Sequence, residues 1–132
     1  MRLTLGCVYA LHALEHLAAQ GDGGPATARH IAEERGLPGD FLSKALQPLV
    51  RAGLLRSEKG PNGGFRLARP ASPISLLEVV EAVDGPLRAE APRVAGVRDG
   101  LDPRLEGVCE RVAEEVRRRF GQVRLSDLAG KK

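Results

Sequence analysis

The segment from Gly53 to Pro70 combines basic side chains with a glycine-rich centre, a combination suited to binding phosphate groups. Two arms, Leu54–Ser57 and Phe65–Ala68, alternate apolar with polar or basic residues and predict a short β-hairpin. Glycines between the arms permit positive φ angles and a close approach to another surface. The positive charges around this tip are Arg56, Lys59, Arg66 and Arg69. The segment is therefore suited to contact a nucleic-acid backbone.

Positive charge is concentrated on this segment. The whole chain has 132 residues and a net charge of +3, whereas residues 51–69 alone carry five basic side chains against one acidic side chain, Glu58. This distribution favours nucleic acid as the partner, because a local excess of charge matters more for binding than the total. With 42% hydrophobic residues but 3% aromatic residues, the chain is expected to have an aliphatic core.

The sequence also indicates where the protein works. No segment resembles a secretory signal, and no apolar run is long enough to span a membrane. The two cysteines, Cys7 and Cys109, do not make a disulfide framework. We therefore expect a cytoplasmic protein without a membrane partner.

Three helices are predicted before the hairpin. The first has Thr4 as its N-cap and runs to about Ala19, the second spans Ala28–Arg35, and the third runs from Asp40 to Ala52. The buried face predicted for the first helix contains Leu5, Val8, Leu11, Leu14 (or Ala18) and Leu17. Two helices joined by a short turn and followed by a hairpin form a winged helix-turn-helix. The predicted fold class is therefore mainly α with a small β-hairpin.

The C-terminal half is predicted to contain two further helices. A fourth helix begins at Ser72 or Ser75 and ends at Val83, and a fifth, long helix follows from about Pro103 to Phe120. The long helix carries a narrow apolar stripe made of Leu105, Val108, Val112, Val116 and Phe120. A narrow stripe on a charged helix is typical of packing against a partner helix. We therefore predict a homodimer, with the tail 125–128 over its interface; the alternative is that the long helix packs on its own domain.

At this point the motifs together resemble a known family. The segment 60–68 (GPNGGFRLA), preceded in order by Ile31-Ala32, Gly36-Leu37 and Phe41-Leu42, is similar to the Rrf family of winged-helix transcription regulators, the family of IscR, NsrR and CymR. The resemblance implies a dimer, usually a repressor, whose subunits each place a recognition helix in the major groove and a wing along the minor groove. It divides the chain into a DNA-binding domain (1–84), a linker loop (85–102) and a dimerisation helix with its tail (103–132).

The resemblance also places the residues that contact DNA. On the recognition helix they are Asp40, Phe41, Ser43 and Lys44, and on the wing they are Lys59, Pro61, Asn62 and Gly63. Lys44 is suited to donate to guanine or phosphate, and Asp40 to cap its helix and accept from cytosine. Arg56, Lys59 and Arg66 are suited to neutralise phosphates. For Phe41, a place in the core and a place against the bases are both open.

The cysteine content of this chain differs from that of family members that hold a cofactor. Many members hold an iron–sulfur cluster with three closely spaced cysteines in the loop before the long helix, but residues 87–108 contain none and only Cys109 lies where the last would fall. Because a cluster needs three or four ligands, we expect no cluster and no other cofactor. Cys109 is then either an inert residue beside the stripe or a redox thiol that makes the protein a redox-responsive regulator.

The sequence gives little support to a catalytic function. The residues His12, Glu15 and His16 match the His-x-x-Glu-His zinc-protease pattern, but a domain this small has no room for the further ligand and the substrate cleft. No convincing nucleophile–base pair is present either. We therefore predict a sequence-specific transcription regulator, a homodimeric repressor of a pseudo-palindromic operator that responds to a small-molecule or protein effector. The competing class is a winged-helix protein-interaction module.

Overall fold

The computed structural model describes residues 2–21, 24–98 and 100–128, which form six α-helices and one two-stranded hairpin. In chain order the elements are α1 (Leu5–Gln20), α2 (Ala28–Arg35), α3 (Gly39–Arg51), β1 (Leu55–Glu58), β2 (Gly64–Leu67), α4 (Leu76–Asp84), α5 (Leu101–Gln122) and α6 (Leu125–Leu128). The predicted fold class, mainly α with a small hairpin in a winged helix-turn-helix, is confirmed. Within these residues no helix is both long and apolar enough to cross a lipid bilayer.

Side-chain caps set where the first, second and fourth helices begin. The hydroxyl groups of Thr4 and Thr27 accept hydrogen bonds from the backbone N–H groups of Cys7 and His30, at 3.1 and 3.0 Å. At α4, Ser75 and Glu78 form a reciprocal capping box, so this helix begins at the second of its two predicted starts. These caps are local, which is why the sequence pattern predicts them.

The recognition helix α3 begins differently from its prediction. Its N-cap is Pro38, which has no side-chain acceptor, and the Pro38 carbonyl accepts from the Leu42 N–H at 3.2 Å. The prediction that Asp40 caps the helix is therefore wrong. Asp40 lies one residue inside the helix, where its negative charge interacts favourably with the helix dipole.

The core side of α1 also differs from its prediction. Leu5 and Val8 are exposed, Leu5 by 64%, and Leu11 is only partly buried. The side chains that face the core are Cys7, Ala10, Ala13, Leu14 and Leu17. Their spacing is helical, and their small members allow α3 to pack closely against α1. The prediction is therefore confirmed for Leu14 and Leu17 and wrong for Leu5 and Val8, because α1 is apolar on two sides and periodicity favours the larger residues.

The C-terminal segment returns to the domain that precedes it. The C-terminal part of α5 packs against α4, where Ala113 is buried. The backbone N–H groups of Leu76 and Leu125 donate to the carbonyls of Val123 and Ile74, both at 2.8 Å. Leu125 is buried in the core, so the tail predicted to cover a dimer interface instead packs on its own domain at this residue. Leu128 remains exposed.

Candidate nucleic-acid interface

The hairpin separates an apolar side from a basic side. Its register pairs Leu55 with Leu67 and Arg56 with Arg66. Leu55 and Phe65 are buried, whereas Arg56 is exposed on the opposite side. The strands begin and end within one residue of the predicted arms, because period-two alternation already defines which residues face the core.

A short backbone pairing joins the hairpin to the segment before α2. The Ala26 N–H donates to the Phe65 carbonyl at 3.0 Å, and the Phe65 N–H donates to the Ala26 carbonyl at 2.7 Å. Gly64 permits this approach, since a Cβ at this position would lie 2.5 Å from the Ala26 carbonyl carbon. Its φ of 143° is also one that residues other than glycine rarely adopt. Sequence reasoning missed this pairing, although Gly64, the second residue of the Gly63-Gly64 pair, is its signal.

The first turn of α2 lies between the front of α3 and the hairpin tip. One groove, the α2–α3 groove, is lined by Arg29 of α2 together with Asp40, Phe41 and Lys44 of α3. A second hollow is lined by the N-cap of α2 and by His30 in its first turn, together with Asn62 and Gly63 of the tip. The two groups of residues predicted to contact DNA therefore flank the same short helix, although they lie some twenty residues apart in the chain.

The exposure of the α3 residues answers the question left open for Phe41. Phe41 is 63% exposed, and Asp40, Ser43 and Lys44 are exposed beside it. The core side of α3 is formed by Leu42, Ala45, Leu46 and Leu49. Phe41 is therefore a surface residue at the front of the recognition helix, and the first of its two possible positions, in the core, is excluded.

The basic side chains differ in how freely they can bind a phosphate. Arg66 donates from its Nε to Glu58 at 2.5 Å. Lys44, Arg56 and Lys59 have no ion-pair partner among residues 2–21, 24–98 and 100–128. These three exposed cations are available to bind an anion at once, whereas Arg66 has to exchange Glu58 for a phosphate.

Arg69, at the base of the hairpin, is paired with a capping residue. Its guanidinium donates to both carboxylate oxygens of Glu78, at 2.8 and 3.4 Å. Burial opposes ionisation of Glu78, but hydrogen bonds from the Ser75 N–H and from Arg69 outweigh it and lower the pKa of the carboxyl. Arg69 therefore holds the hairpin base against the start of α4. The sequence analysis grouped it with the basic residues of the tip and did not predict this structural role.

The apolar stripe of α5 is exposed along its N-terminal half. Leu105, Val108 and Val112 are exposed by 41 to 50%, while Val116 and Phe120 are half-buried where α5 approaches α4. Packing on the same domain, the alternative considered for this helix, accounts for the C-terminal half of the stripe. It leaves the N-terminal half uncovered in a single copy of the chain.

The donor groups of the chain do not fit an iron–sulfur cluster. Of the two cysteines, Cys7 lies in the core, where burial first and the Asp84 carboxylate second raise the pKa of its thiol to about 11. Cys109 is half-buried on α5. Two acidic residues that precede it on α5 are engaged, since Glu106 binds Arg93 at 2.6 Å and Asp102 accepts from the Val94 N–H at 3.2 Å. No group of three potential metal ligands comes together in the part of the chain that the structure describes.

The residues of the zinc-protease pattern serve another contact. Arg35 of α2 donates to the Glu15 carboxylate at 3.2 Å and to Nδ1 of His16 at 3.4 Å. Burial first, and then the positive charge of Arg35, lower the pKa of His16. Glu15 and His16 therefore join α1 to α2.

Comparisons with known proteins agree with this architecture. A family model named Rrf2, described as "Iron-dependent Transcriptional regulator", matches residues 3–131. A Synechocystis protein provisionally named as a helix-turn-helix-type transcriptional regulator is 40% identical over 84 residues, which is 64% of this chain and 57% of that protein. The transcriptional regulator IscR of Escherichia coli is 37% identical over 84 residues, 64% of this chain and 52% of its own length. The matches thus span little more than half of these two curated relatives.

A solved structure extends the similarity to the whole chain. The crystal structure of CymR from Staphylococcus aureus superimposes with a TM-score of 0.74 and 27% identity, covering 98% of each chain. The similarity therefore includes α5 and α6, which follow the winged helix. Because the family model matches nearly every residue, this chain belongs to the Rrf2 family of transcriptional regulators.

Proposed function

We propose that this chain is a sequence-specific DNA-binding regulator, a homodimeric repressor that reads a pseudo-palindromic operator. One observation carries the proposal: the front of α3 and the hairpin tip flank the first turn of α2, and the cations at both places, Lys44 and Lys59, have no ion-pair partner among the described residues. In this arrangement α3 enters the major groove while the hairpin follows the adjacent minor groove. Asp40, Ser43 and Asn62 then face base edges, with Pro61 and Gly63 close to the backbone.

A second copy of the chain is the proposed partner for the exposed stripe. Three aliphatic side chains of α5 are exposed at helical spacing, and Leu101 continues the same side by one more turn. Exposure of a continuous apolar strip to water is unfavourable, and an identical strip on a second copy removes both from water, as in a two-fold dimer. Two recognition helices related by such an axis match two operator half-sites.

Substitution of the free lysines tests DNA binding. We expect Lys44→Ala and Lys59→Ala each to weaken binding to a duplex that the wild-type protein enriches from a random library, hereafter the selected duplex. The affinity falls as salt rises, so the slope of log affinity against log salt is negative. If each lysine neutralises one phosphate per subunit, each variant makes this slope less steep by about 2 per dimer. Fluorescence anisotropy at several salt concentrations measures both quantities.

The control variant is Arg118→Ala, which removes an exposed charge on α5 far from the hairpin in the sequence. This variant should keep the affinity and the salt slope of the wild type. The alternative is a protein-interaction module. It is the better description if the wild-type protein enriches no DNA sequence and both lysine variants still bind the same proteins as the wild type.

Metal removal tests the proposal that the regulator works without an iron–sulfur cluster. We expect protein prepared with a chelator to bind the selected duplex with the same affinity as protein incubated anaerobically with ferrous iron and sulfide, because two separated cysteines cannot supply a cluster's ligands. Visible absorption and iron analysis report the loading. A brown protein whose DNA affinity differs from that of the chelated sample would overturn this proposal.

A further inference from the structure

Phe41 is an unusual surface residue for this chain. Three phenylalanines are present, and the structure describes all of them. Phe65 is buried and Phe120 is half-buried, whereas Phe41 is 63% exposed. An exposed aromatic ring gains free energy when another surface covers it, so its position on the molecule indicates what the covering surface is.

The surroundings of Phe41 point to nucleic acid rather than to an apolar partner. Lys44 follows it by three residues and therefore lies on the same side of α3. Arg29 of α2 lines the same groove; its side chain is 89% exposed, and its Nε pairs with Glu33 at 3.3 Å. A ring bordered by charged side chains, including the acids Glu33 and Asp40, is poorly matched to a hydrophobic protein surface. Lys44, which has no ion-pair partner among the described residues, matches it to the edge of a base pair beside its phosphates.

The chemistry of the major groove narrows the contact further. Base edges there present hydrogen-bond donors and acceptors together with one apolar group, the C5-methyl of thymine. The phenyl ring of Phe41 cannot form conventional hydrogen bonds, so it gains little from the polar positions. We propose that Phe41 contacts the C5-methyl group of one thymine in each half-site and thereby selects thymine at that position. This inference rests on the proposed DNA binding.

Deoxyuridine provides a direct test, because it lacks only the methyl group and keeps every hydrogen-bonding group of thymine. Each thymine of the selected duplex is replaced in turn by deoxyuridine, and the affinity is measured by fluorescence anisotropy. For the wild-type protein we expect one thymine per half-site at which the replacement lowers the affinity about fourfold, the effect of burying one methyl group. At the other thymines we expect no change.

Variants then separate the methyl contact from general binding. Phe41→Ala should bind the thymine duplex more weakly and give equal affinities for thymine and deoxyuridine at the sensitive position, whereas Phe41→Leu should keep part of the preference. Lys44→Ala is the matched control: it should weaken binding to both duplexes and leave their ratio unchanged. Since Phe41 lies outside the core, thermal unfolding of Phe41→Ala should follow that of the wild type.

Two results would overturn the inference. One is equal wild-type affinity for every singly replaced duplex, and the other is a thymine preference that persists in Phe41→Ala, which would place the ring against a sugar or against no part of the DNA. If instead no duplex is enriched by the wild-type protein, the proposed DNA binding fails and this inference fails with it. The two failures are distinguishable because the enrichment precedes any replacement.

Discussion

Replacement of Gly64 with alanine is expected to detach the hairpin from α2 and to abolish selective DNA binding. The added Cβ would lie 2.5 Å from the carbonyl carbon of Ala26 and 2.6 Å from its oxygen, so the Ala26–Phe65 backbone pairing cannot persist. Strain at a φ of 143° adds to the loss of two backbone hydrogen bonds. Together these effects should lower the free energy of unfolding by about 2–4 kcal/mol. Urea unfolding and anisotropy with the selected duplex measure the two consequences.

Gly60→Ala is the matched control for this variant. Gly60 also has a positive φ, 107°, but nothing lies within 4 Å of the position that its Cβ would occupy. It therefore reports backbone strain without the steric clash, and we expect a loss of about 1 kcal/mol. Equal losses for the two variants would show that the pairing with Ala26 contributes nothing, contrary to this account.

A charge in the centre of the exposed stripe is expected to separate the two subunits. In Val112→Glu, and more strongly in Val108→Glu combined with it, dimerisation would bury carboxylates without partners, which is strongly unfavourable. A monomer binds one half-site at a time, so affinity for the selected duplex should fall by roughly 10²-fold or more. Sedimentation equilibrium gives the mass, and anisotropy gives the affinity.

The control for the dimer experiment introduces the same side chain elsewhere on α5. Arg118 is exposed and lies on the side of the helix away from the stripe, so Arg118→Glu should remain a dimer with its DNA affinity little changed. The dimer proposal is contradicted if the wild type is already a monomer, or if the stripe variants keep both the mass and the affinity of the wild type. Unchanged helical circular dichroism would show that these variants remain folded.

Local signals in the sequence predicted most element boundaries correctly. Thr27 and Gly36 define both ends of α2, and the Ser75–Glu78 pair starts α4. Such caps act within one turn of a helix, so they can be recognised without any knowledge of the fold. The starts of α3 and α5 differ from their predictions: α3 begins at Gly39 with Pro38 as its N-cap, although Asp40 is the better capping residue, and α5 begins at Leu101, two residues before the predicted Pro103.

Choices between equivalent local patterns were less predictable. The helix α1 has apolar residues on two sides, and the smaller ones, Ala10 and Ala13, face the core because α3 packs closely there. The larger Leu5 and Val8 are left at the surface. Likewise the apolar pattern of α3 was compatible with Phe41 in the core or at the surface. In each case the answer depends on the shape of a neighbouring helix, which periodicity does not contain.

The amino-acid sequence by itself determined the helices, the basic hairpin and the two-cysteine content, since each follows from residue types within a few positions of one another. Only the tertiary structure decided which charges are free, which side of α1 is buried and how the hairpin reaches α2. Pairs such as Arg66 with Glu58, Arg69 with Glu78 and Ala26 with Phe65 form only after the chain has folded. Their geometry depends on long-range packing. The same packing places α3, with Lys44, and the hairpin, with Lys59, next to α2, where they form the proposed DNA-binding surface.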